Sequence, residues 1–173
     1  MATVSSSVSM SKEEIIMYRI GFSEDIHPVK KGRKLVLGGV EIPGADGLDG
    51  HSDADVVLHA VSEAILGALA LGDLGKHFPD SNPKYKDISS VVLLEHVYSL
   101  MKKEGAKLNN VDIQVACAKP KLAPYLPKMR KVISQTLHTR LNNVSIKAMS
   151  FNTVGPIGEG KAIKAQAIVL LDK

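Results

Sequence analysis

The sequence predicts an α/β protein of the α+β type, a mixed β-sheet with helices packed on one face. Three observations lead there. Strand-like runs stand near both ends and at 111–118, where Val, Ile, Val and Cys alternate with Asp, Gln, Ala and Ala. Between them lie three longer stretches of helical periodicity, two of them closed by Gly72 and Gly105. Finally, the order β, ββ, α, α, β, α, β, β shows no internal repeat and no linker, so 18–173 reads as one domain.

Residues 18–22 read as a first strand leading into Asp25 and His27. Residues 28–34, rich in Lys, Arg, Gly and Pro, read as a loop. KLVLGGVEI (34–42) reads as a hairpin turning on Gly38 and Gly39, and 43–50, with three Gly and two Asp, as a second loop. Ser52 followed by Asp55 fits a capping box with Asp in the Glu position, which starts a helix at Ser52. That helix runs to about residue 71 and is apolar on most sides, so it is predicted to be buried. Residues 73–89 read as a long polar loop with little structure of its own, a kind that usually carries function. A second helix covers 90–104, with Val91, Leu94, Tyr98 and Met101 on one face. After the strand at 111–118 come a loop with three prolines (119–127), a third helix to about 141, and strands at 144–149 and 163–171. Residues 1–17, polar and Ser-rich, read as a flexible extension.

Composition narrows the function. The 173 residues are 45% hydrophobic and 23% charged, the balance of a soluble globular domain. Aromatics make up 4% with no Trp, so the core is aliphatic. A net charge of +4 suits a small anionic substrate, and no basic run interleaved with aromatics argues for nucleic acid. No apolar stretch has membrane-spanning length. The single Cys117 excludes an internal disulfide and suits a reducing compartment. The chain is expected in the cytoplasm, or in a plastid-type organelle if its extension is a transit peptide.

Chemistry concentrates around Asp25-Ile26-His27 and His59, thirty-two residues beyond His27. On a strand Asp25 and His27 share a side. One carboxylate and two imidazoles make a three-ligand zinc set whose fourth position stays open, as a catalytic site requires. A histidine on an apolar helix is more often a hydrogen-bonded core residue. Here Asp55, four residues before His59, either receives the imidazole's second N–H or simply favours the helix start. His51, Ser52 and Asp53 stand where unpaired helix N–H groups attract phosphate, or Ser52 only caps the helix. Asp73 and Gly75 either meet a polyol or end a turn, and Lys121 either meets a phosphate or is solvated.

Read together, HSDADVVLHAVSEAILGALALGDLGKHFPDSNPKYKDISS (51–90), the opening RIGFSEDIH and the later KPKLAPYLPKMR strongly resemble 2-C-methyl-D-erythritol 2,4-cyclodiphosphate synthase, the cyclising enzyme of the non-mevalonate isoprenoid pathway. The resemblance covers about 18–171. It implies a homotrimer with active sites between neighbouring chains, taking a nucleotide-diphosphate substrate and releasing CMP. By motif match, Asp25, His27 and His59 hold one zinc per subunit. His51 and Ser52 meet the substrate phosphates, and Asp73 and Gly75 the erythritol part, with Phe78 and Asp80 lining a flap. Cys117, Lys121, Leu122, Ala123, Ala148, Met149 and Ser150 form the cytidine pocket of the adjoining subunit, and His51 and Ser150 position the reacting groups. A second divalent cation, magnesium or manganese, bridges the phosphates.

The chain departs from the family's pattern at three places. Ser23 and Glu24 replace a Gly and an aromatic before Asp25. Asn152 stands where a Glu usually binds the second metal, and a neutral amide is a weaker ligand for a hard cation. Glu159 and Lys161 reverse the charges of the usual Arg and Glu. Two other readings follow: a catalytically weak trimer that binds isoprenoid diphosphates, and a zinc hydrolase, for which Asp55 is the one candidate base.

Overall fold

The computed structural model describes residues 17–79 and 81–173. The expected extension lies outside them apart from Met17, as does Asp80. The elements are β1 (Tyr18–Leu37), β2 (Val40–Leu48), α1 (Val56–Ala68), α2 (Leu74–His77), α3 (Ser90–Lys103), β3 (Lys107–Ala116), α4 (Leu126–Thr136), β4 (Val144–Met149), α5 (Gly155–Gly158) and β5 (Ala162–Asp172). They build a five-stranded mixed sheet in the order β2-β1-β5-β3-β4, in which only β3 and β4 pair in parallel. The predicted mixed α+β class is what the chain adopts.

Strand alternation separates the sheet's two faces. On β5, Ile163, Ala165, Ala167, Val169 and Leu171 are buried. They pack with the buried residues of α1 and α3 in one aliphatic core. On β1, Gly21, Asp25 and His27 point to the same side. The opposite face leaves Tyr18, Ile20, Phe22, Ile26 and Ile168 more than half exposed, at 51–73%. Contact between α1 and β1 is close at Gly21, where a Cβ would land on the Ala64 carbonyl oxygen. Gly21→Ala is therefore expected to cost about 1–3 kcal/mol. A urea midpoint equal to that of the parent would refute this.

Several boundaries differ from the sequence reading. The predicted loop at 28–34 is part of β1, which pairs with β5 up to Pro28 and with β2 from Val29. Lys31, Gly32 and Arg33 form a bulge opposite the step from Gly47 to Asp46. The predicted loop at 43–50 is mostly β2, because pairing with β1 overrides its weak strand composition. The helix predicted from Ser52 starts at Val56: Asp55 is the cap, accepting from Val57 N and Leu58 N. Residues 73–89 are not structureless either. They hold α2, a 3₁₀ turn at Pro83–Tyr85, and Phe78 packed edge-on against Tyr85 and His96. Helix α4 stops at Thr136, short of the predicted 141.

Candidate metal centre and active site

β1 and α1 build the centre. Asp25 Oδ2 lies 2.9 Å from His59 Nδ1 and 3.2 Å from His27 Nε2. One ligand atom from each of the three residues falls within 4.8 Å of the others. A tetrahedral zinc with bonds of about 2.0–2.1 Å has ligand–ligand edges of about 3.3 Å, so this donor set fits such an ion. The remaining imidazole nitrogens are held as well. His27 Nδ1 contacts the Asp49 carbonyl oxygen. His59 Nε2 sits 3.0 Å from both Ser52 Oγ and Ser90 Oγ. These partners place each neutral ring's proton away from the centre and leave His27 Nε2 and His59 Nδ1 to ligate.

Burial alone would raise the Asp25 carboxyl, but hydrogen bonds and charge from His27 and His59 outweigh it. The carboxyl is held well below the usual carboxylate range. In return, the Asp25 hydrogen bond raises His27 against the opposing effect of burial. Protons and a metal therefore compete for the same nitrogens.

The centre opens into a cavity of about 330 Å³ whose lining includes His51, Ser52, Gly75 and Phe78. The turn at 50–53 is held from outside: Arg33 donates to the Gly50 and Ser52 carbonyls, each at 2.6 Å, and Asp87 N donates to His51 O at 2.8 Å. Asp73 does not line this cavity. It caps α2, accepting from Lys76 N at 2.8 Å. Glu63 is a lining residue that the sequence reading missed. It stands four residues after His59 on the same helical face, a spacing that was available as a signal. Burial raises its carboxyl, with Asp73 and Asp25 adding to the shift and the Leu74 N–H opposing it. Ser23 and Glu24, the departures before Asp25, also line the cavity, so they alter the site itself.

Asp55 is not the partner of the His59 ring. Its carboxylate accepts from four backbone N–H groups, those of Gly38, Gly39, Val57 and Leu58, and the residue is fully buried. It also occupies the α1 N–H groups that were expected to attract phosphate. So committed and so buried, it is no general base for a metal-bound water, and the hydrolase reading loses its candidate.

A second cavity of about 890 Å³ opens at the C-terminal ends of β3 and β4. All seven residues expected around cytidine line it: Cys117, Lys121, Leu122, Ala123, Ala148, Met149 and Ser150. Asn152 lines it too. Burial pushes the Cys117 thiol up to about 11, so it is no nucleophile at neutral pH. The two cavities share no lining residue, and within one chain His51 and Ser150 are not brought together.

The profile of the YgbB family matches residues 18–172. The chain is 50% identical over 157 residues to the 2-C-methyl-D-erythritol 2,4-cyclodiphosphate synthase of Geobacillus kaustophilus, covering 91% of this chain and 99% of that one. Its fold is similar to the bifunctional IspDF of Campylobacter jejuni, with TM-score 0.87 and 34% identity. That match covers 91% of this chain and 43% of the bifunctional one. It is also similar to IspF of Plasmodium falciparum in a CDP complex, with TM-score 0.79 and 34% identity over 89% of this chain and 95% of that one.

Proposed function

The chain belongs to the YgbB family, and on that footing we propose that it converts 4-diphosphocytidyl-2-C-methyl-D-erythritol 2-phosphate to 2-C-methyl-D-erythritol 2,4-cyclodiphosphate and CMP. This is a phosphorus–oxygen lyase step of isoprenoid precursor biosynthesis. The observation that carries the reading is the set of Asp25, His27 and His59 opening onto a cavity with His51, Ser52, Gly75 and Phe78. A relative at 50% identity bearing the synthase name supports it.

In the reaction, an oxygen of the substrate's 2-phosphate attacks the β-phosphorus. The new O–P bond closes the ring, and the bond from the β-phosphorus to the bridging oxygen breaks. CMP leaves with that oxygen and the α-phosphorus. The substrate supplies its own nucleophile, so the protein's task is positioning and charge neutralisation. Zinc held by Asp25, His27 and His59 would supply Lewis-acid polarisation of a diphosphate oxygen. His51 and Ser52 orient the phosphates, Phe78 covers the cavity, and the 117–123 loop holds the cytidine.

Two cavities with no shared residue suit an active site completed by a neighbouring chain. The outer sheet face carries Tyr18, Ile20, Phe22, Ile26 and Ile168 exposed together, an apolar face of the kind that marks a protein–protein surface. A homotrimer that buries this face is the assembly we propose.

Asn152 lies in a turn where Phe151, Asn152 and Thr153 all have positive φ, of 60°, 46° and 67°. Asn tolerates that region better than Glu. Its amide oxygen accepts a hydrogen bond from Ser150 Oγ at 3.3 Å. A second divalent cation at this position would meet a neutral oxygen that is already engaged. Activity titrated with magnesium should therefore half-saturate at a severalfold higher concentration for the chain than for its Asn152→Glu variant. Equal values would contradict this.

The overall reading is tested by incubating the purified protein, zinc and magnesium with the diphosphocytidyl substrate and following phosphorus NMR. CMP with the cyclic diphosphate is expected. Absence of CMP overturns the proposal, and CMP with an uncyclised bisphosphate would favour hydrolysis.

A further inference from the structure

A third cavity, of about 480 Å³, lies between the C-terminal ends of α3 and α4 and shares no residue with the other two. Its floor is apolar: Met101, Leu108 and Leu137 are all buried. One wall is a ring pair in which Tyr98 stacks on His138 with centroids 4.8 Å apart and planes 27° from parallel. Lys102, Lys107 and Arg140 line the cavity, and no carboxylate does. Among the described residues none of these three cations has a hydrogen-bond or ion-pair partner. Lys102 Nζ stands 5.8 Å over the Tyr98 ring, its one recorded contact. Of the nearby acids, Glu104 is committed to Lys173 at 2.8 Å, and Asp172, which faces Lys107 across the β3–β5 pairing, accepts from Asn109 at 3.2 Å.

Helix C-termini attract basic residues for their own sake, and that accounts for Lys102 in the last turn of α3. It does not account for Lys107 on β3 or for Arg140 beyond α4. Like charges lining one cavity with no carboxylate among the lining residues favour an anion between them. The backbone fixes one member of the ring pair. His138 takes φ 47° at the position after the α4 cap, where Gly or Asn is usual. The turn closes normally, with Thr139 N bonded to Ser134 O at 2.9 Å. With this backbone the imidazole lies stacked against Tyr98.

We infer that this cavity binds a small organic phosphate carrying a flat ring. The phosphoryl group lies among Lys102, Lys107 and Arg140. The ring lies over Met101 and against the Tyr98–His138 pair.

Phenyl phosphate is the probe, titrated into the full chain with carbon-13 labelled methionine methyls and histidine rings. The Met101 methyl and the His138 ring are expected to shift saturably, and raised ionic strength to weaken the binding. Met149 reports the cytidine-type cavity separately. The double variant Lys102→Gln/Arg140→Gln, changed only at exposed positions, should bind at least about tenfold more weakly, roughly 1.4 kcal/mol. His138→Asn keeps a residue that tolerates the left-handed backbone. It should weaken phenyl phosphate while leaving inorganic phosphate unchanged. Shifts confined to Met149 or His51 would overturn the inference, as would unaltered affinity in the double variant. The affinity and Met101 shifts are read without any turnover, so failure of the proposed reaction leaves this test standing.

Discussion

His59→Ala is expected to lower the rate of CMP formation by about 10³-fold or more, on the scale of losing a group that stabilises transition-state charge. His59 joins helix to strand at the centre, with Nδ1 facing Asp25 and Nε2 held by Ser52 and Ser90. Its removal leaves Asp25 and His27 as a two-ligand set, which does not fix a four-coordinate zinc. Ser90→Ala supplies the internal comparison. It removes one oxygen from behind the imidazole and leaves all three ligands, so it should cost only about 10–100-fold in zinc affinity or rate. Zinc content after dialysis and initial CMP rates give both numbers. A His59→Ala protein within tenfold of the parent rate would refute a role for this centre. If Ser90→Ala lost as much as His59→Ala, metal ligation would not be what separates the two residues.

Half of the centre was legible because it is local, while His59, on α1, joined the pair through the residues around it that carry the resemblance. Asp25 and His27 need only a strand's two-residue period to share a face, and β1 supplies it. The residues proposed to surround cytidine, which line one cavity, were grouped in the sequence only by resemblance. Their common feature is a place at the C-terminal ends of β3 and β4, which no spacing within the chain encodes. What stayed hidden depends on tertiary pairing. Residues 28–34 look like a loop because Pro28, Gly32 and the basic residues are poor strand formers, yet β5 and β2 bind the segment in succession. Ser52 looks like the helix cap because it has the preferred side chain. Ser52 Oγ instead accepts from Ala54 N and contacts His59 Nε2, and the capping falls to Asp55.

Asp55→Ala should be the most destabilising of these changes, at about 3–5 kcal/mol, because it strands four backbone N–H donors, and a buried donor left unsatisfied costs about 1–3 kcal/mol. Asp55 Oδ1 accepts from Gly38 N at 2.9 Å, Val57 N at 3.0 Å and Leu58 N at 3.1 Å, and Oδ2 accepts from Gly39 N at 2.7 Å. One carboxylate thus caps α1 and holds the β1–β2 turn, whose glycines take φ of 59° and 73°. Space does not allow a substitute at that turn, since a Cβ on Gly38 would come within 2.7 Å of Met129 Cβ. Burial pushes the Asp55 carboxyl upward, and the N–H groups work against that shift. If the residue served only as a helix cap, alanine would cost about 0.5–2 kcal/mol. Stranding the two turn donors as well takes the loss above that range. Asp55→Asn should fall between, because the amide oxygen can keep the Oδ1 bonds while its NH₂ faces the Gly39 N–H. Urea denaturation of metal-free protein is the right measurement, since a bound ion would stabilise the native state by mass action. A loss of 2 kcal/mol or less for Asp55→Ala would reduce the residue to a cap. A larger loss, with Asp55→Asn intermediate, would establish that the β1–β2 turn and the start of α1, and with it the placement of His59, hang on one buried carboxylate.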